Sequence, residues 1–432
     1  MTYDCDAGGY NEVVPLGVYI SVPFCRTKCS FCNFASDVFS KARFDQYVDR
    51  VCADVAAADQ LAADARGAAG AEFERLEFEQ TVDSIYLGGG TPSVLAPEQL
   101  ERMFAAVREK FEVAPDAEVT VECAPGTVSD EIVATLLRCG VNRVSLGVQS
   151  FVDEESRAVG RLHTREITLR DIDRLRVAGI SDINLDLIAG LPHQTPESWR
   201  RSLADVVATG TPHASVYMLE VDDESRLGRE LIAGGTRYHA HFVPDDDMTA
   251  GFYEAACATF DAAGVAQYEI SNFARPGHES RHNLKYWLRQ PYLGFGVDAS
   301  SMLRAMLRTK LRATPRASVA AVRFATADNL EDYTRGAAVS VTPVSPEQAL
   351  EEAFFLGLRL NRGVDLEVLR NEFGELGAES EAAINELVDD GLLIKSGPRL
   401  ALSARGQMIS NEVFERFIAS PSSPVIPSEA SR

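Results

Sequence analysis

Through the first half of the chain, short apolar or alternating runs are separated by longer stretches whose apolar residues recur at helical spacing. The runs at 17–22, 84–87, 118–122, 143–148, 183–187 and 215–219 are rich in Val, Ile, Leu and Tyr and predict strands. Between them, 44–65, 97–111, 129–139 and 168–178 carry an amphipathic period and predict helices. Gly140 and Gly179 stand just past two of these, where a left-handed cap closes a helix. Strands and helices in strict alternation predict parallel strands joined by right-handed crossovers, which wind into an α/β fold: a partial, TIM-like (βα)6 barrel. Polar residues at the carboxyl ends of such strands face one shared cleft.

Beyond residue 225 the alternation fades. A polar stretch at 234–247 reads as loop, 248–263 as helix, and 268–301 as a segment rich in Gly and aromatic residues. From 345 the pattern becomes amphipathic runs at 346–358, 366–373 and 379–390, followed by a hairpin at 392–402, which predicts a winged-helix-like domain. The expected organisation is an N-terminal extension at 1–12, the barrel at 13–225, a barrel extension at 226–344 and the C-terminal domain at 345–417. The tail at 418–432, rich in Ser and Pro, reads as disordered.

Composition narrows the function classes. With 46% hydrophobic and 25% charged residues, the chain of 432 residues has material for a large core and is not an intrinsically disordered polymer. Its 42 Lys and Arg against 64 Asp and Glu give a formal charge of −22, which excludes a generic binder of phosphate backbones. No run approaches the roughly 18 to 20 apolar residues of a membrane helix. The start of the chain carries Asp4 and Asp6 and has no signal-peptide pattern. Eight cysteines are too few for a disulfide scaffold, and three of them crowd together, which points to metal chemistry in a reducing cytoplasm.

Those three are Cys25, Cys29 and Cys32, a C-x3-C-x2-C run directly after the first strand. Three thiolates on a tight loop can hold three irons of a cubane cluster; a closed zinc site would need a fourth ligand such as His163 or a distant Cys. Cys5, Cys52, Cys123, Cys139 and Cys257 have no ligand spacing and read as structural. The run from Gly88 through Gly89, Gly90 and Thr91 to Pro92 ends the second strand and lets backbone approach a ligand closely. Among the histidines, His193 sits in a strand-exit loop and could line the cleft, whereas His213, His239, His241 and His278 read as surface residues. Glu351, Glu352, Glu372, Glu375, Glu379, Glu381 and Glu386 give the C-terminal module an acidic character that phosphate would repel. That module therefore reads as a cover over the barrel mouth or a docking surface.

The cysteine loop, placed after Tyr19-Ile20-Ser21-Val22-Pro23-Phe24, resembles the radical S-adenosylmethionine (SAM) superfamily. The resemblance implies a 4Fe–4S cluster on Cys25, Cys29 and Cys32, with one iron open to the amino and carboxylate groups of SAM. It also implies SAM contacts from Tyr19, Phe31, Gly89, Gly90, Thr91, Glu122, Gln149, Arg161 and Asp186. Through 147–151, 160–164 and 186–192 the chain is similar to the oxygen-independent coproporphyrinogen III dehydrogenase-like family, over about 13–417. Two branches are at issue. The dehydrogenases of porphyrin biosynthesis carry a further Cys two residues after the third, where Phe34 stands here. The heme-chaperone branch matches at the cysteine loop and at an H-N-x-x-Y-W motif, here His282, Asn283, Leu284, Lys285, Tyr286 and Trp287.

That second resemblance implies heme as a cofactor, with His282 as iron ligand and Tyr286 and Trp287 as flat surface for the porphyrin. The plainer reading makes His282 a hydrogen-bonded loop residue and Trp287 a core aromatic. Ser300 stands where the family usually carries His, which implies a weaker or different heme ligand set. As partners the resemblance implies heme-receiving respiratory proteins and a flavodoxin- or ferredoxin-like reductant protein, and no nucleic acid. It leaves room for a homodimer and for a transient contact with a membrane protein.

Overall fold

The structure is a computed structural model that describes residues 14–70, 75–76, 78–306 and 319–418. The extension at 1–12, Cys5 and the tail beyond 418 lie outside the described residues.

Each expected strand of the barrel is present: β1 (Leu16–Val22), β2 (Thr81–Gly89), β3 (Glu112–Cys123), β4 (Arg143–Gln149), β5 (Asp182–Ala189) and β6 (His213–Met218). They pair in chain order and in parallel, as right-handed crossovers require. Alternation within the strands sorts the side chains. Val18, Ile20, Leu87, Val121, Leu146 and Leu185 point outward and are fully buried under the helices. Each such side chain contributes about 1.5–3 kcal/mol. The opposite face is polar or small: Gly17, Tyr19 and Ser21 on β1 lie level with Ser84, Tyr86 and Gly88 on β2. Farther round, Glu122 pairs with Ser145, Ser145 with Asn184 and Asp186 with Ser215. The lumen is thus built for polar ligands, not for a second apolar core.

The helices follow the sequence signals with local changes. The expected helix at 44–65 divides at Ala57 into Ala42–Ala56 and Ala58–Ala68, whereas Gly140 and Gly179 close their helices with left-handed backbone. Pro196–Thr209 supplies the helix that the alternation requires between β5 and β6; Thr195 and Ser198 form a capping box there with Pro at the first turn.

The region after 225 holds more strand than expected. β7 (Ala266–Glu269), β8 (Asn272–Ala274), β9 (Tyr292–Gly296), β10 (Ser300–Met306), β11 (Ala321–Ala325) and β12 (Ser340–Val344) extend the sheet at both ends. β8 runs antiparallel to β6, and β9 runs parallel to β1, so the parallel run continues one strand beyond the six. Most of these strands are of three to five residues, too short for a clear alternation, which hid them from periodicity.

The C-terminal helices Pro346–Gly357, Leu366–Phe373 and Ala378–Asp389 surround a three-stranded sheet of Val364–Asp365, Leu393–Ser396 and Arg399–Leu402. This module does not cover the barrel mouth. Tyr286, Trp287, Tyr292 and Met302 form one apolar cluster with Phe354, Phe355 and Leu358, and Tyr292 is level with Gly17 at the amino end of β1. The module therefore closes the floor of the barrel. Glu352, read as part of an acidic surface, is buried there between Arg289 at 3.0 Å and Arg323 at 2.9 Å.

Candidate cofactor site

The loop after β1 folds back on its own strand. The Cys25 N–H donates to the Asp37 carbonyl at 3.0 Å, and the Asp37 N–H to the Pro23 carbonyl at 3.0 Å. Neighbouring elements hold the rest. Ser30 N–H donates to the Val159 carbonyl, Thr27 Oγ1 to the Gly160 carbonyl, and Leu227 N–H to the Ser30 carbonyl. Phe31 packs against Val159, Ile188 and Leu191, so one of the two residues between Cys29 and Cys32 anchors the loop to β5.

Cys25, Cys29 and Cys32 are free thiols brought together on this loop, and burial is the leading reason that Cys25 is pushed up to about 11 and Cys32 upward. Such thiols bind as thiolates, so metal binding would release protons. Among the described residues, no group of three or more His, Cys, Asp or Glu side chains converges on a single-ion position. His163, weighed as a fourth zinc ligand, is buried and donates Nε2–H to the Val148 carbonyl at 3.0 Å.

The glycine run comes against this loop. Gly90 N–H donates to the Val22 carbonyl and Thr91 N–H to the Phe24 carbonyl, both at 2.8 Å. A Cβ at Gly90 would lie 2.7 Å from the Phe24 carbonyl oxygen and 3.0 Å from Cys25 Sγ, so only glycine fits there. Gly89, at φ 96°, turns the chain in a region closed to most side chains. Thr91 Oγ1 lies 3.8 Å from Cys25 Sγ.

Across the mouth, Tyr86 donates to Glu122 Oε1 at 2.9 Å, and Ser145 and Asn184 donate to Asp186 at 3.0 and 2.7 Å. Burial raises Glu122 to about 7, the negative charge of Asp186 adds to this, and the Tyr86 and Gly89 hydrogen bonds oppose it. Burial likewise raises Asp186. Arg161 is the nearby cation whose charge pulls both carboxyls down. It crosses β4 where a Cβ on Gly147 would come 2.9 Å from its Nη2. Its Nε is buried with no hydrogen-bond partner among the described residues. Gln149 stands at a strand irregularity with φ 66°, which turns it into the same region. Tyr217, missed in the sequence, faces Asp186 and Glu122 from β6, and burial is the main cause that raises its hydroxyl.

Tyr19 connects this mouth to the floor: its ring centroid lies 6.1 Å from Tyr86 and 6.2 Å from His282. His282, expected as an iron ligand or as a hydrogen-bonded loop residue, lies at that floor. It is 1% exposed inside the barrel, with Nδ1 3.0 Å from Ser84 Oγ and Nε2 3.0 Å from Tyr286 Oη. Burial first, then Lys285, lowers it to about 3, so the ring is neutral. Tyr286 and Trp287 are buried in the floor, and the Arg359 guanidinium lies 4.3 Å from the Trp287 ring centroid. As placed, the three side chains pack into the floor, and Trp287 Nε1 is buried there with no hydrogen-bond partner among the described residues. His213 corrects its expectation. Opening β6 on the inward face, it is buried beside Asn184 at 2.6 Å and Tyr268 at 3.1 Å.

Three free thiols on a loop at the mouth of a parallel barrel, a glycine-lined approach beside them and the buried, unpartnered Nε of Arg161 define the architecture of a radical SAM protein. The comparisons agree: the Radical SAM superfamily matches residues 19–206 and the HemN C-terminal domain matches 344–409. The "Heme chaperone HemW" of Lactococcus lactis subsp. lactis (strain IL1403) is 32% identical, covering 94% of this chain and 97% of that protein. That of Escherichia coli (strain K12) is 33% identical over 71% of this chain and 76% of its own. The chain belongs to the HemN-like family of radical SAM proteins, in its HemW branch. Among solved structures, coproporphyrinogen III oxidase (HemN) from Escherichia coli, described as a radical SAM enzyme, superposes with a TM-score of 0.75 at 23% identity. It covers 94% of this chain and 90% of its own, and shows the shared fold. Family membership implies a 4Fe–4S cluster and SAM. No helix among the described residues is long and apolar enough to cross a membrane.

Proposed function

We propose that this chain is a cytoplasmic heme chaperone that holds a 4Fe–4S cluster and SAM in the barrel mouth, binds heme and passes it to respiratory heme proteins. The observation that carries the cofactor part is the loop of Cys25, Cys29 and Cys32 set against Gly90, with the unpartnered Nε of Arg161 across the mouth. The three thiolates would each hold an iron and leave the fourth open. Gly89, Gly90 and Thr91 line the approach for the methionine end of SAM, and Arg161 offers its carboxylate a cation. Glu122, Gln149 and Asp186 suit the ribose hydroxyls, with Tyr19 and Phe31 as apolar walls. When bound, the cluster supplies one electron able to break a carbon–sulfur bond of SAM.

The heme part is supported by relatives of 27–34% identity that carry the name heme chaperone. The dehydrogenase reading loses support at Phe34, which stands where those enzymes carry a further thiol; its carbonyl accepts from Lys28 Nζ at 3.2 Å and its main chain hydrogen-bonds Cys32. The deciding experiment is anaerobic purification with iron, sulfide and heme titration on one sample, followed by incubation with SAM, reductant and coproporphyrinogen III. Cluster and heme binding without protoporphyrinogen formation is expected. Turnover to protoporphyrinogen would replace the chaperone reading with the enzyme.

A further inference from the structure

His282 is enclosed in the floor, and the barrel mouth holds a separate pair of imidazoles. His193 follows β5 at its carboxyl end, and His239 lies between the helix Arg226–Ala233 and the helix Asp246–Ala262. Their rings meet: His193 Nε2 is 3.0 Å from His239 Nδ1, with centroids 4.9 Å apart at 66°. Both residues hold left-handed backbone, φ 69° and φ 61°, a conformation that non-glycine residues keep only where the surroundings impose it. Two sets of bonds impose it here. The His193 N–H donates to the Phe242 carbonyl at 3.0 Å, and the Glu230 carboxylate accepts from the N–H groups of Tyr238 and Ala240 at 2.8 and 3.2 Å. The same helix begins on the cluster loop, through the Leu227 N–H to the Ser30 carbonyl at 2.8 Å.

We propose that His239 is the axial ligand of the heme iron, through Nε2, and that His193 is the positioning residue that fixes its ring. This rests on the reading of the chain as heme-binding and names the site. An imidazole that ligates a metal through one nitrogen characteristically has the other hydrogen-bonded, which sets its tautomer and orientation. His239 is in that state: Nδ1 is engaged by His193, and Nε2 has no partner among the described residues. With His193 Nε2 and His239 Nδ1 engaged with each other, Nε2 of His239 is the nitrogen left for a macrocycle to approach. Both histidines are half-buried, which leaves them reachable. Apolar surface for the porphyrin is present as well. Phe242 is stacked on His193 at 4.3 Å and remains 58% exposed, an unusual state for a large aromatic on a charged chain.

The test is hemin titration of the full chain, read by the Soret band and by the spin state of the ferric iron. His239→Gly suits the left-handed backbone at this position and should lose the imidazole-ligated spectrum and at least tenfold in affinity; added free imidazole should restore the spectrum. His239→Asn, which also tolerates that backbone, should behave as the glycine variant does without rescue. His193→Gln should keep the heme with a shifted spectrum, and His282→Ala should leave the heme spectrum as in the wild type. A wild-type spectrum and affinity in both His239 variants would overturn the ligand assignment while leaving heme binding intact. A wild-type chain that takes up no heme would overturn the heme reading itself, and the assignment with it.

Discussion

Tyr86 donates its hydroxyl to Oε1 of Glu122 across 2.9 Å, so a buried phenol and a buried carboxyl share one position of the barrel mouth. Burial and the neighbouring Asp186 raise Glu122 from 4.5 to about 7. Between those values the folded chain binds more protons at this group than the unfolded chain does, so the contribution of Glu122 to stability falls as pH rises through the window. Glu122→Gln should flatten that slope. Urea unfolding of the SAM-free protein at pH 5 and pH 8 should show the wild type losing on the order of 3 kcal/mol relative to the variant. Parallel pH profiles would exclude the raised carboxyl.

Loss of one ligand should empty the cluster loop. Cys29 is the most buried of the three thiols, and the loop that carries it is fastened through Ser30 to Val159 and Leu227. Cys29→Ala is expected to keep the fold and lose the brown iron–sulfur absorbance after anaerobic reconstitution. Iron and sulfide contents equal to the wild type would remove Cys29 from the ligand set.

Gly90→Ala should have a similar outcome for a steric reason. Its Cβ would press on the Phe24 and Val22 carbonyl oxygens at 2.7 and 2.8 Å and on Cys25 Sγ at 3.0 Å. Backbone cannot yield as a flexible side chain can, so the cluster loop must shift. Iron per chain should fall several-fold, while far-ultraviolet circular dichroism stays that of the wild type. Full iron loading would show that the loop accommodates the methyl group.

What was legible in the sequence was local. Cys25, Cys29 and Cys32 lie within one turn-rich loop, and the barrel strands carry their signal in a few consecutive residues. Gly147 and Arg161 could have been paired in advance only by knowing that the arginine passes over the strand at that point. His282 shows the limit. Its motif suggests a ligand, but its surroundings are set by Ser84, 198 positions away, and by a C-terminal module that buries Tyr286 and Trp287. An imidazole reads alike in sequence whether it faces a cofactor or fills a floor. His213 was misplaced for the same reason, because its inward direction follows from the register of β6 against β5.

That placement gives His282 a measurable weight. Truncation to Ala leaves Ser84 Oγ and Tyr286 Oη without this shared partner and opens a cavity beside Tyr19 and Tyr86. The two effects together should cost about 2–4 kcal/mol. Chemical denaturation of His282→Ala should show that loss. Stability equal to the wild type would show that the imidazole is not part of the floor.

Glu352 carries the joint between the floor and the C-terminal module. Its carboxylate accepts from Arg289 Nε at 3.0 Å and from Arg323 Nε at 2.9 Å, all three side chains being largely buried. The two guanidiniums hold Glu352 below the usual carboxylate range against the opposing effect of burial. A depressed carboxyl contributes stability above its unfolded value near 4.5, and that contribution is lost as pH falls through the folded value. Glu352→Ala leaves two buried cations without their shared anion, a change that costs about 3–5 kcal/mol when a buried pair is broken. Glu352→Gln keeps the shape and loses the charge, so it should fall between the wild type and the alanine variant. Thermal unfolding should follow that order, and limited proteolysis should release the C-terminal module first in the alanine variant. If the alanine variant melts with the wild type, the ion cluster does not hold the module to the floor.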